Sequence, residues 1–74
     1  MRLTSRPAMS WDTDQNDQYR LVVDGRTVLT GSMVSVNETI TKVQMAFALG
    51  ASAVEILPSG MVSVYLADEF KGTF

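Results

Sequence analysis

Seventy-four residues with eight acidic and six basic side chains, a net charge of −2 and neither cysteine nor histidine leave room for one domain with a thin core, stapled by neither disulfides nor histidine–cysteine metal sites. The same two absences remove the commonest bases, nucleophiles and transition-metal ligands, so the composition points away from an enzyme and calls for no cofactor. The cations are scattered rather than clustered, which disfavours direct contact with nucleic acid, and no run of about 18 apolar residues could span a membrane.

The opening segment, MRLTSRPAMSW, lacks the continuous apolar stretch of a secretory signal, and the composition suits a reducing cytoplasm. Residues 1–17 show no sustained hydrophobic period and read as an irregular lead-in to a folded core over 18–70. Within it, WDTDQNDQYR gathers Asp12, Asp14 and Asp17 behind the sole tryptophan, Trp11. Asp12, Asp14 and Asn16 match the first, third and fifth ligand places of a helix-flanked calcium loop. The match fails at the sixth, where glycine is needed and Asp17 stands, and at the twelfth, where a bidentate glutamate is needed and Val23 stands. The stretch therefore reads as a flexible acidic lead-in, with Trp11 either closing one edge of the core or anchoring a partner.

From Gln18 the pattern becomes strand-like, with Tyr19, Leu21 and Val23 alternating. Asp24-Gly25 signals a tight hairpin turn into a second strand over about 26–33. A two-residue loop would set Val28 opposite Leu21, and a three-residue loop would set Leu29 there. Ser35 and Glu38 have the spacing of a capping box, and Val36, Ile40, Val43 and Phe47 form one stripe of a helix over 36–49 that Gly50 would end. On the opposite side Glu38 and Lys42 are wet, but Met45 and Leu49 continue that side with apolar groups. Either a terminal loop covers them or they form a patch for another chain.

Val54–Leu57 reads as a short strand, Pro58-Ser59-Gly60 as a turn, and residues 61–66 as a last strand. Val62, Val64 and Leu66 would face the helix, with Met61, Ser63 and Tyr65 on the other side. A polar tail follows, containing Phe70 and Phe74. The expected architecture is α+β, in the order strand, strand, helix, strand, strand, with one helix on a four-stranded, mainly antiparallel sheet. The second sheet face would then carry Arg20, Val22, Ser63 and Tyr65 in the open, where a homodimer could form or a partner could pack.

Together, a tyrosine-led strand, VDGRTV at a hairpin, KVQMAFALG closing a helix and VEILPSGMVSVYLADEF as a final strand pair resemble small phage-encoded anti-CRISPR proteins directed at type I-F surveillance complexes. The resemblance spans Tyr19 to Phe70. It implies a protein that binds a bacterial CRISPR effector complex and blocks target-DNA binding or nuclease recruitment without chemistry of its own. It gives no individual residue a role. On such a protein the residues suited to partner contact are Trp11, Asp12, Asp14, Asp17, Met45, Leu49 and Tyr65, carboxylates for a basic groove and large side chains as anchors. The alternative is a structural or assembly module that pairs with itself.

Overall fold

The computed structural model describes residues 1–74. In chain order it contains β1 (Arg2–Leu3), β2 (Met9–Thr13), β3 (Tyr19–Val23), β4 (Arg26–Gly31), α1 (Met33–Ala48), β5 (Ala53–Ile56), β6 (Val62–Leu66) and β7 (Glu69–Thr73). The expected hairpin, helix and second hairpin are present as β3–β4, α1 and β5–β6. The single four-stranded sheet is not. Two antiparallel sheets form instead, one ordered β1-β5-β6-β7 and the other β2-β3-β4.

Two sheets arise because the segments expected to be irregular each add an edge strand. β1 crosses to β5, placing Leu3 against Val54, and β2 runs beside β3 with Trp11 opposite Leu21. At the other end of the chain, β7 pairs with β6, and Phe74 continues the ladder by exchanging backbone hydrogen bonds with Val62. Residues 2–13 therefore are not a lead-in, and the ordered chain extends past residue 70. Edge strands need apolar groups on only part of one face, so their sequences carry little period.

The β3–β4 hairpin combines both expected registers. Asp24 and Gly25, with φ of 50° and 82°, form a two-residue turn that pairs Val23 with Arg26 and Val22 with Thr27. A bulge then takes up Val28, so that Leu29 rather than Val28 lies opposite Leu21. A regular ladder would set Val28 there; with the bulge, Leu29 takes that place and both side chains pack half-buried against the core.

The helix begins one turn earlier than its capping-box signal. Ser32, not Ser35, is the N-cap; its hydroxyl accepts from the Ser35 backbone N–H at 3.1 Å. Gly50 ends the helix as expected, at φ 92°. Its N–H donates to the Phe47 carbonyl while that of Ala51 donates to the Ala46 carbonyl, a paired arrangement that a left-handed residue permits.

α1 packs against β3 and β4 of one sheet and against β5 and β6 of the other. A helix serving two sheets needs a broad apolar face. Val36 and Val43 are fully buried as expected, Ile40 and Phe47 are half-buried, and Thr39 and Ala46 complete the buried set. The core joins Leu3, Leu21, Val23, Val36, Val43, Ala46, Val54, Ile56 and Val62. Only 13 of 74 residues are buried, so each of these aliphatic groups carries a large share of stability. The molecule is elongated, 41 × 20 × 17 Å.

Candidate functional site

The seven residues singled out by sequence fall in three places rather than one. Trp11, Asp12, Asp14 and Asp17 gather at one end of the three-stranded sheet, Met45 and Leu49 lie on the helix, and Tyr65 lies on the four-stranded sheet.

At the first place, the acidic stretch is a built turn. Asp14 Oδ1 accepts from the backbone N–H groups of Asn16 at 2.8 Å and Gln18 at 3.0 Å. The Asp14 N–H donates to the Gln18 carbonyl at 2.9 Å. One oxygen thus shapes the connection between β2 and β3, as Asp side chains do in turns. Asp12 is committed too, accepting from Arg20 Nε at 2.7 Å, while Arg20 Nη2 reaches the Thr13 carbonyl at 3.3 Å. The hydrogen bond that Arg20 donates to Asp12, and then the Asp12 charge, raise the Arg20 pKa above its ordinary value. Asp17 closes the turn at φ 59° and is exposed. Of the three carboxylates, it has the fewest structural duties. Trp11 is 48 % exposed and packs edge-on against Tyr19, ring centroids 5.4 Å apart. It is a partial lid over its own sheet, with the remaining half of its surface open.

That location settles what covers Met45 and Leu49: the Trp11 segment does not. Leu49 is 80 % exposed and Met45 50 %. Leu49 is the C-cap residue, so it projects where the last helical turn has ended. Val34, also exposed, lies eleven positions before Met45 and so on the same line of the helix, with Thr41 between them. Sequence reading missed Val34 because it began the helix three residues too late. The line Val34, Glu38, Thr41, Met45 and Leu49 therefore runs the length of α1 on its outward side, polar in the middle and apolar toward both ends.

Tyr65 is not an open anchor. The Arg2 guanidinium lies 4.6 Å from its ring centroid, and Phe70 meets it edge-on at 5.6 Å. Beside this cluster Ser63 and Thr73 share a hydrogen bond of 2.8 Å. Arg20 and Val22, expected on the same face as Ser63 and Tyr65, belong to the other sheet. The continuous open face therefore does not exist, and its nearest remnant is covered by the chain's own Arg2 and Phe70. Neither partner of Tyr65 was legible, since β1 and β7 were not expected as strands.

Comparison with protein-family models, with curated proteins and with solved structures finds no match for this chain. Its surface carries three exposed apolar side chains along one line of the helix, a half-open tryptophan and a hydrogen-bonded acidic turn. No helix is long and apolar enough to cross a membrane.

Proposed function

We propose that this protein is a non-enzymatic inhibitor that binds a bacterial CRISPR effector complex in the cytoplasm, blocking target-DNA binding or nuclease recruitment. The observation that carries the reading is the helix stripe with Leu49 four-fifths exposed. Large apolar groups so presented on a rigid element are suited to be the buried centre of an interface. Met45 adds a flexible thioether that conforms to a partner's surface. The turn bearing Asp14 and Asp17 supplies negative potential, which speeds encounter with a basic surface and selects among partners more than it holds the complex. A complex that grips nucleic acid offers such basic surfaces. The resemblance of the Tyr19–Phe70 segment to anti-CRISPR proteins supports the choice of partner.

The test is direct. Wild-type protein mixed with purified type I-F surveillance complex co-elutes with it and lowers either its DNA binding or its nuclease recruitment. Leu49→Asp folds normally and does neither. Wild-type protein that neither co-elutes nor inhibits contradicts the proposal.

A further inference from the structure

The two sheets have four edges, and three of them are defended against pairing. β7 carries Glu69 and Lys71 and is distorted by the register shift opposite Val64 and Tyr65. β4 begins at Arg26 and is broken by the bulge at Val28. β1 is two residues long. Charges, bulges and shortness are the usual protections of a free edge. β2 is the least defended: Met9–Thr13 pairs with β3 in unbroken register, contains neither lysine nor proline, and its one charge, Asp12, is engaged by Arg20 of its own sheet.

Two hydrogen bonds show which backbone groups that edge presents. The Asp24 N–H donates to the Ala8 carbonyl and the Asp14 N–H to the Gln18 carbonyl, so positions 8 and 14 are bonded pairs of the β2–β3 ladder. Alternation then turns the N–H and C=O of Ser10 and Asp12 inward, and those of Met9, Trp11 and Thr13 outward. Arg20 touches the Thr13 carbonyl, which keeps a second lone pair.

We infer that β2 pairs antiparallel with β2 of a second copy, Trp11 facing Trp11 across a two-fold axis. In this register Met9 and Thr13 of one chain meet Thr13 and Met9 of the other. All the outward groups are then used, in six backbone hydrogen bonds. Shifting the centre to residue 12 would set Asp12 against Asp12, and shifting it to residue 10 would bring Pro7, which has no N–H, opposite Thr13. The Trp11 register instead places Asp12 across from Ser10. It also carries Arg6, which makes no ion pair in its own chain, toward the Asp14–Asp17 turn of the other copy. Trp11 lies on the sheet face that bears Leu21, so the two indoles would meet beside the core and close the exposed half of each other's surface. The result is a six-stranded sheet with an isologous interface. The outward stripe of α1 is left free in both copies, so this inference does not depend on the proposed partner.

Light scattering coupled to size exclusion, on the full chain across micromolar to submillimolar concentrations, tests it. The expected result is a dimer at tens of micromolar that weakens as salt rises, with tryptophan emission moving to shorter wavelength as dimer forms. Trp11→Pro removes an outward N–H that no group in its own chain uses, on an edge strand where proline is tolerated. It should be monomeric with an unchanged far-ultraviolet circular dichroism spectrum. Should Trp11→Pro unfold, Arg6→Glu decides, because it leaves β2 intact and should raise the dissociation constant by about tenfold or more. A wild-type chain monomeric at every concentration overturns the inference. So does a dimer that persists in folded Trp11→Pro, or, where that variant unfolds, one indifferent to Arg6→Glu.

Discussion

Thr39 faces the core at 1 % exposure, and its Oγ1 donates to the Gly60 carbonyl at 2.8 Å. The bond ties the middle of the helix to the turn before β6. A buried carbonyl left without a donor keeps its full desolvation cost, so Thr39→Val, which preserves shape, should destabilise by about 1–3 kcal/mol in urea unfolding. Gly60 could not easily be replaced. Its φ is 90°, and a Cβ there would come within 3.1 Å of Thr39 Oγ1. The exposed Arg20–Asp12 contact is a different kind of pair. The Arg20 pKa is raised, so stability from the contact is present below the ordinary arginine value and fades only as pH rises through the higher folded value. Unfolding midpoints of wild type and Arg20→Gln should therefore run parallel through the neutral and mildly alkaline range. A gap between them that closes within this range would contradict the assignment. Asp14 shows why the acidic stretch was misread. Its side chain bonds N–H groups two and four residues ahead, a local act that leaves no periodic trace.

Among the elements, those with a repeating pattern were legible, and those stabilised by one neighbour were not. β3, α1 and β6 announce themselves because their apolar groups recur at the period of the element. In β2 only Met9 and Trp11 are apolar, and in β7 only Phe70, so nothing in either segment demands a strand until its partner is known. The helix start was misplaced for a related reason: Ser32 and Ser35 are three apart and either could cap. The structure uses Ser32, whose oxygen bonds the Ser35 N–H, with the two hydroxyls 3.0 Å apart. Ser32→Ala should then cost about 0.5–2 kcal/mol of stability, while Ser35→Ala costs distinctly less. Chemical denaturation of the two variants separates the caps, and equal losses would contradict this account of the helix start.

For the whole molecule, the consequence of two sheets sharing one helix is a core that is long and thin. One face of α1 is used: Thr39 and Ala46 are buried beside the Val36–Val43 line, while the open surface holds Val34, Met45 and Leu49 among polar neighbours such as Glu38 and Thr41. The site was legible there to the extent that Met45 and Leu49 stood out as apolar groups on a wet face. What sequence could not show was whether the chain's own beginning lay over them, because β2 was not recognised as part of the other sheet. Since Leu49 loses little contact on replacement, and a carboxylate at the C-cap meets only the negative end of the helix dipole, Leu49→Asp should stay folded and cost no more than about 1 kcal/mol of stability in urea unfolding.

The decisive measurement is size exclusion of purified type I-F surveillance complex with wild-type protein and with Leu49→Asp, followed by target-DNA binding and nuclease recruitment. Co-elution and inhibition with wild type, both lost in a variant that stays folded, are the predicted result. Wild-type protein eluting alone while the complex keeps full activity would contradict the account.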